Sequence, residues 1–586
     1  MFVCFSPKKK REMSCFILLA EKVMNVLLFI AILFGIFGSN AQLLPDDEVQ
    51  TLRTIFTKLQ HRSMNIERTS CSDRNSNFTS GEGNRTIICD CTVNSTCHVT
   101  RIFLKSLSLP GIFPPEFGNL TRLLEIDLSR NYLNGTIPTT LSRTPLEILS
   151  VTGNRLSGPI PPQLGDVTTL TNLNLESNLL SGQIPSSFGR LTSLNSLLLS
   201  ANNFTGQLPE SLINLKNLTN FRIDGNSLSG RIPEFIGNWT QLDRLDLQGT
   251  SMSGPIPASF SNLQNLTQLG PIPDYIGSMT KLKTLDLSSN FLTGPIPDTF
   301  RDLDYNFMFL SNNSLSGQLP QFILDSKDSV DLSYNNFTQA PSRSCSMPDI
   351  FIGYKLSVTW SPATRQKQLT RYVQWCLRRD LPCPTEAKHS SLFINCGGEA
   401  VEVGKDTYEE DLNNKGASIF MPVSDRWGYS SSGTWIGDDT VPYLATDDRF
   451  NLLNESVPQY YKRARLAPQS LKYYGLCLRS ESYKLQLHFA EIMFSNDQTY
   501  SSIGRRIFDI YVQGNLLVKD FNIAERAGGV GKPFTLQIDR VQVNGSTLEI
   551  HLLWSGKGTN VLPQRGVYGP LISAITITPS KFLQSL

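Results

Sequence analysis

The stretch "LTNLNLESNLLSGQIP" at 170–185 decides the fold, because it is one copy of a pattern that recurs through the first half of the chain. Further copies in the same register are "LLEIDLSRNYLNGTIP" at 123–138, "LEILSVTGNRLSGPIP" at 146–161, "LNSLLLSANNFTGQLP" at 194–209 and "LTNFRIDGNSLSGRIP" at 218–233. The shared template is LxxLxLxxNxLxGxIP, and its asparagine falls at 131, 154, 178, 202 and 226, with spacings of 23, 24, 24 and 24. A fixed period of this length indicates a solenoid of stacked coils.

Each part of the template has a physical role in such a coil. The alternating leucines point to one side of a short strand, so they bury against the leucines of neighbouring coils. The asparagine side chain has donors and an acceptor, so it can satisfy backbone groups that a tight turn leaves unpaired. Gly accepts a tight or positive-φ bend, and Pro fixes φ after the strand. We expect the array to begin near Ile102, with Leu107 at the asparagine position, and to end at Asn335.

The stretch "NLTQLGPIPDYIG" at 265–277 interrupts this period. Counting by 24 from Asn226 places the next two positions of the asparagine ladder at Thr250 and at residue 274. The GPIP segment at 270–273, however, fits a register in which the asparagine position is residue 266. The two registers differ by 8 residues, and the next ladder residue is Asn290. We predict that this coil lacks its inner strand through a deletion in the transcript or gene model, and a tolerated kink is the alternative.

An apolar run near the start predicts export. Residues 26–37, "VLLFIAILFGIF", are too few for a membrane-spanning helix of about 20 residues. Ser39 and Ala41 have the spacing of a signal-peptidase site. We therefore predict a signal peptide over 1–41, with Met24 as an alternative start and an uncleaved anchor as the alternative interpretation. No later run reaches the roughly 18 apolar residues of a spanning helix.

Sequons for N-glycosylation support the same compartment. Thirteen N-x-[ST] sequons follow the signal, at Asn77, Asn84, Asn94, Asn119, Asn134, Asn203, Asn217, Asn238, Asn265, Asn312, Asn336, Asn454 and Asn544. A single sequon is weak evidence, whereas many behind a signal peptide are strong evidence. We predict an extracellular glycoprotein.

The cysteines also fit an exported protein. The cysteines that remain after cleavage are Cys71, Cys89, Cys91, Cys97, Cys345, Cys376, Cys383, Cys396 and Cys477. They cluster as disulfide staples at domain ends do, and Cys345 is a candidate staple at the end of the array. Cys376 and Cys383 are close enough for a local disulfide, and Cys396 and Cys477 are candidates to join two strands, although connectivity stays open. The number is odd, so one thiol is unpaired or pairs with another chain. The spacing of Cys89 and Cys91 does not suit a metal, and no metal or cofactor is predicted.

Composition excludes some classes of partner. The formal net charge is +2 and charged residues make up 18% of the chain. Such a balance indicates neither a nucleic-acid-binding protein nor one that binds an anionic membrane through a global field.

From about residue 390 the pattern changes to alternating strands. The segments "YKLQLHFAEIMF", "RRIFDIYVQG", "STLEIHLLW" and "LISAITITP" each alternate apolar and polar residues, and turn residues separate them. This predicts an antiparallel β-sandwich or jelly roll.

Two families are recognisable in these motifs. The LxxLxLxxNxLxGxIP coils resemble the plant class of leucine-rich repeats. "LFINCGG", "YEEDL", "DRWGYSSSG", "YYGLCLRSESYKLQLHFAEIMF", "RRIFDIYVQG" and "DFNIAERAGG" resemble a malectin-like domain. Together with the signal peptide, the arrangement resembles the ectodomain of plant leucine-rich-repeat receptor-like serine/threonine kinases that carry a malectin domain. No membrane span or kinase motif occurs in the sequence, and "GGVGKP" at 528–533 lacks the spacing of a phosphate loop.

The predicted organisation has six parts. They are a signal peptide (1–41), an N-terminal cap with cysteines (42–101), leucine-rich repeats with a register break at 266–274 (102–340), a cysteine-containing linker (341–389), a malectin-like domain (390–580) and a tail (581–586).

The malectin resemblance implies a carbohydrate site lined by aromatic side chains. By motif, Tyr408, Tyr429 and Phe494 fall at its aromatic positions, and Met493 stands where the animal domain has Tyr, a departure that puts family-type sugar binding in doubt. Aromatic rings suit sugars because C–H surfaces stack on them. The alternative is that these aromatics pack in the core of the sandwich.

The repeats offer a second candidate surface. Arg222, Asp224, Arg244 and Asp246 flank the inner-strand apolar residues of two adjacent coils, so we expect them on the concave face. They are candidates to contact a charged ligand or partner ectodomain. The alternative, which we favour, is a solvated ladder of mutually neutralising charges.

The main functional hypothesis is the ligand-recognition region of a receptor-like kinase, at the outer face of the plasma membrane. Its partners would be a cell-wall carbohydrate, a peptide or a co-receptor, with no nucleic acid. A truncated secreted decoy or wall-associated binding protein is the alternative. A glycosidase needs two carboxylates across one cleft, and nothing in the sequence marks Glu491 and Asp509 as such a pair.

Overall fold

The Leu-x-Leu segments of the first half form short strands that stack in parallel, one from each coil. Leu173 pairs with Leu197 in the next coil, and Phe221 pairs with Leu245 in the same way two coils further along. All four side chains are buried in a single continuous core. The predicted solenoid of leucine-rich coils is confirmed.

The computed structural model describes the following residues: 43–60, 66–71, 77–79, 85–92, 96–247, 249–250, 252, 257, 259–260, 263, 268–269, 284–286, 293–303, 305, 307–310, 313–325, 329–332, 335–339, 351–360, 367–376, 387–413, 419–433, 435, 443–447, 457–559, 562–563 and 567–580. The predicted signal peptide and the 581–586 tail lie outside these residues.

The inner, concave sheet has fifteen strands among the described residues. In sheet order they are β1 (Asn77–Thr79), β2 (Arg85–Asp90), β3 (His98–Leu104), β4 (Glu125–Asp127), β5 (Ile148–Ser150), β7 (Asn172–Asn174), β9 (Ser196–Leu198), β11 (Asn220–Arg222), β13 (Arg244–Asp246), β14 (Gln268–Leu269), β15 (Thr284–Asp286), β17 (Phe307–Phe309), β19 (Ser329–Asp331), β21 (Phe351–Trp360) and β22 (Lys367–Cys376). Shorter strands on the flank form two small sheets, of β6 (Ser157–Gly158), β8 (Leu179–Gly182), β10 (Asn203–Gly206) and β12 (Ser227–Leu228), and of β16 (Thr293–Gly294), β18 (Ser314–Gln318) and β20 (Asn336–Gln339).

The asparagine ladder works as the sequence predicts. The side-chain amide of Asn178 donates to the carbonyls of Val151 at 3.0 Å and Leu175 at 3.1 Å, and its oxygen accepts from the Leu156 N–H at 3.1 Å. Asn131, Asn154, Asn202, Asn226 and Asn335 bond the backbone in the same manner. At the Thr250 position, the hydroxyl keeps one of these bonds, to the Leu247 carbonyl at 2.8 Å. Each ladder asparagine therefore connects its coil to the preceding one, whereas the Thr250 bond lies within its own coil.

The convex side carries 3₁₀ helices that begin after each GxIP proline. Within the array they are Pro115–Asn119, Thr139–Arg143, Pro162–Asp166, Ser186–Arg190, Glu210–Asn214, Glu234–Asn238 and Asp298–Asp302. Other described 3₁₀ helices are Arg68–Ser70, Gln459–Lys462 and Tyr500–Ile503.

Glycine and serine form a second ladder along these helices. A Cβ on Gly189 would lie 2.5 Å from the Ser211 carbonyl of the next coil, and Ser211 donates to the Ser186 carbonyl at 2.6 Å. The same pair recurs at Gly118 with Thr140, Gly165 with Ser187 and Gly237 with Ser259. Where Ser142 and Ile213 replace the glycine, the facing residues are Gln163 and Phe235. Close coil contact on the convex side therefore requires glycine in one coil and a small hydroxyl residue in the next.

The N-terminal cap is a helix and a hairpin closed by disulfides. The predicted helical segment forms α1 (Asp46–Lys58), which buries Val49, Leu52, Ile55 and Phe56 against the first coils. Glu48 anchors it to the sheet, because its carboxylate contacts the His98 ring at 2.7 Å and accepts from the Val99 N–H at 2.9 Å. Disulfides join Cys71 to Cys89 and Cys91 to Cys97. The cysteine-stapled cap is thus present as predicted.

The irregular coil keeps part of its inner strand. Gln268 of β14 pairs with Arg244 on one side, 24 residues earlier, and with Thr284 on the other, 16 residues later. The prediction that the inner strand is missing is therefore wrong in part, because two strand residues suffice to continue the backbone pairing. In the other coils, the strand residues are followed by a segment that contains the ladder asparagine, and this coil lacks that segment. Residues 270–283 lie outside the described part.

The segment predicted as a linker, 341–389, contains a hairpin. Strands β21 and β22 pair with each other, and β21 adds antiparallel to the last repeat strand through Phe351 and Asp331. The segment "FIGYKLSVTW" alternates apolar and polar residues as a strand does, but it does not match the repeat template. The short helix α2 (Gln321–Asp325) precedes it.

The second half is the predicted β-sandwich. One sheet contains β23 (Leu392–Asn395), β37 (Ala574–Pro579), β31 (Ser482–Ala490) and β34 (Pro533–Gln542). The facing sheet contains β26 (Ile419–Pro422), β27 (Trp427–Ser432), β30 (Ser470–Gly475), β35 (Leu548–Gly558), β32 (Arg506–Val512) and β33 (Asn515–Phe521). Smaller sheets contain β24 (Val401–Val403) with β25 (Asp406–Tyr408), and β28 (Leu444–Thr446), β29 (Arg463–Leu466) and β36 (Leu571–Ile572), while α3 (Ile523–Ala527) follows β33.

A second core fills the sandwich. Leu485, Leu487 and Phe489 of β31 face Ile550 and Leu552 of β35, and all five are buried, because alternate residues of each strand point inward. None of the described helices is long and apolar enough to cross a membrane.

Candidate functional site

Tyr408 lies in a cluster of tyrosines beside a buried histidine. Its ring is 5.4 Å from Phe393 and 4.9 Å from Tyr460, centroid to centroid, and its hydroxyl contacts that of Thr576 at 2.7 Å. Thr576 also contacts the His488 ring nitrogen at 3.0 Å. Burial raises the pKa of Tyr408. This predicted sugar-contact residue is buried by packing, and its hydroxyl is held inside the domain.

Burial of His488 should make the stability of the malectin domain depend on pH. Burial lowers the pKa of His488 to about 4, from an ordinary value of 6.5. The unfolded chain therefore binds a proton at this residue at a higher pH than the folded chain does. Stability should fall as pH drops from about 6.5 towards 4, by at most about 1.4 kcal/mol per unit.

The variant that isolates this effect is His488→Gln, measured with the wild type in urea unfolding between pH 7 and pH 5. We expect the wild type to lose about 2 kcal/mol more than the variant over this range. Equal losses in the two proteins would contradict the assignment to His488.

Tyr429 is buried under an arginine. The guanidinium of Arg465 lies 4.0 Å from the Tyr429 ring centroid, and it pairs with both carboxylate oxygens of Asp411, at 2.6 and 2.7 Å. The Tyr473 hydroxyl donates to the same carboxylate at 2.5 Å. Burial raises the pKa of Tyr429 to about 12. The ring face that a sugar would need is covered by Arg465.

Phe494 and Met493 lie at the end of β31, beside another buried ion pair. A Cβ on Gly504 would meet the Phe494 ring at 2.4 Å, so glycine is required there for the ring to fit. Arg506 pairs with Glu491 at 2.8 Å, and the Met493 N–H donates to Glu491 at 3.0 Å. Phe494 is buried, whereas Met493 is half-buried. Met493 is thus the residue of the predicted set that reaches the surface.

The carboxylates considered for a glycosidase have separate partners. Glu491 binds Arg506, and Asp509 accepts from the Asp520 N–H at 2.7 Å. Both are buried. Within the described part of the chain there is also no group of three or more metal-ligating side chains.

The charged residues of the repeats form an ion cluster on the concave face. Arg222 lies 2.8 Å from Asp246 in the next coil, 3.0 Å from Glu176 two coils earlier and 3.9 Å from Asp224. Arg244 contacts Asp246 at 2.8 Å. Burial raises the pKa of Asp224 to about 7. The four predicted residues are brought together, with Arg222 and Asp224 buried and Arg244 and Asp246 half-buried.

Sequence reasoning missed the residues that complete these clusters. Glu176 is two coils away from Arg222, and Arg465 is remote in sequence from Tyr429. A count of positions by the 24-residue period would have found Glu176 beside Ser200 and Asp224. No sequence signal links Arg465 to Tyr429 or His488 to Tyr408.

The disulfide suggested between Cys396 and Cys477 is incorrect. Cys396 is a free, buried thiol, and Cys477 is disulfide-bonded to another cysteine. Cys396 lies at the end of β23 beside the Asp411–Arg465 pair, and burial raises its pKa. The side chains of Cys345, Cys376 and Cys383 lie outside the described part.

Among the described residues, two surface grooves are large enough to hold a ligand. One, of about 700 Å³, is lined by Val512, Gln513, Leu517, Arg540 and Asn544, among others, in the sandwich. Its lining includes Asn544, a predicted glycosylation site, so a glycan attached there would lie against the groove. The other, of about 900 Å³, follows the GxIP flank of the array and is lined by Pro159, Gln183 and Gln207, among others.

Two protein-family models match the chain. The Leucine Rich Repeat model matches 122–143, 145–167, 169–191, 193–215, 217–239, 241–263 and 281–303. The Malectin domain model matches 390–575. The interval between 263 and 281 that the repeat model omits is the short coil.

Close relatives occur in Arabidopsis thaliana. Two proteins named as probable LRR receptor-like serine/threonine-protein kinases are 65% and 67% identical, over 95% and 96% of this chain. The chain spans 57% of the length of each. Among solved structures, the LRR ectodomain of an Arabidopsis thaliana membrane receptor kinase is 32% identical to this chain. The match includes 51% of this chain and 36% of the receptor chain, with a TM-score of 0.43.

The two family models match the same two domains that the fold shows. The relatives match this chain along nearly all of its length. The predicted resemblance is confirmed. Along 95–96% of its length the chain is therefore similar to LRR receptor-like serine/threonine kinases, and the shared part combines leucine-rich repeats with a malectin domain.

Proposed function

We propose that this chain is the extracellular ligand-recognition region of a plant receptor-like kinase, which binds a cell-wall carbohydrate, a peptide or a co-receptor and catalyses no reaction itself. The observation that carries the proposal is the combination of a repeat array and a malectin domain in a chain 65–67% identical to receptor-like kinases. Ligand binding would act by shifting an equilibrium of association between receptors.

Exposure of the sequons supports placement outside the cell. Asn119, Asn134, Asn203, Asn217, Asn238 and Asn544 are all exposed. Solvent exposure is what the attachment of a bulky glycan requires. The remaining sequons lie outside the described residues or have undescribed side chains.

For a carbohydrate ligand, the malectin domain offers its surface at the end of β31. Met493 is half-buried there, next to the buried ring of Phe494. Tyr408 and Tyr429 would support the fold of the domain instead of contacting the sugar, because both are packed inside it. An apolar contact at Met493 with polar groups around it suits the C–H face of a sugar.

For a peptide or co-receptor, the concave face offers Arg244 and Asp246. Both are half-buried, so they remain reachable, and Arg222 holds Asp246 in place from the preceding coil. A charged group on a partner would gain specificity from this pair more than affinity.

The carbohydrate proposal predicts a binding defect in Met493→Ala. We expect the full chain to bind members of a panel of cell-wall oligosaccharides and the variant to bind them at least tenfold more weakly. Leu516→Ala is the matched control, since Leu516 is 47% exposed on the β32–β33 hairpin of the same domain and its loss should leave binding unchanged.

A wild-type chain that binds no oligosaccharide would rule out the carbohydrate ligand. The same protein would then be tested against peptides and partner ectodomains, with Arg244→Ala as the variant.

A further inference from the structure

Two rows of residues follow the inner strands along one edge of the concave face. Four successive coils contribute one residue to each row, and we call the eight residues the docking strip: Thr152, Glu176, Ser200 and Asp224 in the first row, and Gly153, Ser177, Ala201 and Gly225 in the second.

The docking strip is buried although its positions point away from the core of the array. Seven of its residues are buried, and Gly225 is half-buried. At equivalent positions nearer the N-terminus the short Ser129 side chain is buried, but the long side chains are accessible: Lys105 is 49% exposed and Arg130 is half-buried. Because the coils share one architecture, something outside the array must cover the strip.

The covering element comes from the malectin domain. A Cβ on Gly153 would lie 2.7 Å from the Leu562 side chain, and a Cβ on Gly225 would lie 2.7 Å from the Gly556 carbonyl oxygen. Three coil spacings, about 14 Å, separate the two glycines. Residues 556 and 562 can lie at most about 20 Å apart, so the end of β35 and the loop that follows it can together contact both ends of the strip.

The sheet from which this loop emerges is buried on its outer face. In β30 and β35, Leu471, Ile550 and Leu552 point into the sandwich core, so Lys472, Glu549 and His551 point outward. The outward residues are nevertheless buried. An outer face open to water keeps its polar residues exposed, so this one is covered as well.

We propose that the docking strip is the surface on which the malectin domain of the same chain docks, through the outer face of β30 and β35 and the loop that follows β35. The second row allows close approach because its residues are Gly, Ser and Ala. The first row, with Glu176 and Asp224, meets a sheet face that carries Lys472, Glu549 and His551, so both sides of the interface are polar.

The polarity of the strip makes this docking reversible. The hydroxyls of Thr152 and Ser177 are buried without a hydrogen-bond partner among the described residues. Water would satisfy both hydroxyls in an undocked array, so docking costs their desolvation. Interfaces of this polar kind between domains of one chain resemble transient protein–protein interfaces.

The test is Ala201→Arg in the full chain. Ala201 and Arg130 occupy the same position in different coils, with φ of 56° in both, so a coil tolerates arginine there and the harm should come from the docked domain alone. We expect a larger radius of gyration in small-angle X-ray scattering and an unchanged far-UV circular dichroism spectrum. Asn172→Arg is the control, because Asn172 is exposed in the same array.

A cross-link provides a second, independent readout. The pair Gly153→Cys and Leu562→Cys should form a disulfide under mild oxidation, detected by peptide mass spectrometry, and Ala201→Arg in this background should reduce it at least tenfold. The control pair is Gly135→Cys with Leu562→Cys, since Gly135 also has a positive φ but faces Ile112. Equal linkage in both pairs, or an Ala201→Arg chain as compact and as strongly linked as its parent, would overturn the proposal.

Discussion

Asn178→Ala is expected to lower the free energy of unfolding of the repeat array by about 3–5 kcal/mol. The side-chain amide of Asn178 donates to the Val151 and Leu175 carbonyls and its oxygen accepts from the Leu156 N–H. Alanine leaves one N–H and two carbonyls unpaired in a dry interior, and each buried unpaired group costs about 1–3 kcal/mol. The change also removes the side-chain link between two coils.

Asn172→Ala is the matched control for this substitution. Asn172 belongs to the same coil, but it is exposed, so its truncation should change stability by less than about 0.5 kcal/mol. Urea unfolding measures both variants, and hydrogen exchange at the Leu156 amide reports the local loss. Similar stability in the two variants would show that the ladder contributes little.

Asp411→Ala is expected to destabilise the malectin domain by about 3–5 kcal/mol. Arg465 and Asp411 have side chains that are each 1% exposed, and Asp411 also accepts from Tyr473. Without the carboxylate, the guanidinium stays buried with only backbone carbonyl partners such as Asn413 at 2.9 Å. An uncompensated buried charge is the source of the loss, not the absent attraction alone.

Two further variants separate these contributions. Asp411→Ala combined with Arg465→Met should recover most of the stability, because it removes the stranded charge and keeps an apolar side chain of similar length. Asp520→Asn is the exposed control, since its partner Lys557 and Asp520 are 33% and 39% exposed and such pairs contribute at most about 1 kcal/mol. Thermal unfolding measures all three. A double variant no more stable than Asp411→Ala would contradict this account.

Sequence alone predicts the parts of the fold that repeat. The LxxLxLxxNxLxGxIP period places the inner strands, the bonds of Asn131 to Asn335 and the buried leucines, because each coil repeats the same local physics. The period also locates the coil that departs, at 266–274, but it does not predict that Gln268 and Leu269 keep the strand pairing there. Nor does it predict the hairpin of β21 and β22, which has no period to compare with.

The candidate site was less predictable than the fold. Motif comparison selects Tyr408, Tyr429 and Phe494, but their burial depends on residues far along the chain, such as Arg465 and Thr576. The same limit applies to Arg222 and Asp224, which are buried although their positions lie on the concave face. A sequence pattern describes an element and its own neighbours, whereas exposure depends on what the rest of the chain places over it.

The glycine–serine ladder on the convex side has a consequence for the shape of the array. On the inner side, hydrogen bonds between strands hold the coils about 4.8 Å apart. On the outer side, spacing depends on side-chain size: Gly189 lets its neighbour approach closely, and Ser142 and Ile213 keep theirs further away. The ratio of outer to inner spacing sets the curvature of a solenoid. Exchanging glycine for a larger residue at this position would therefore bend the arc more tightly without altering the leucine core.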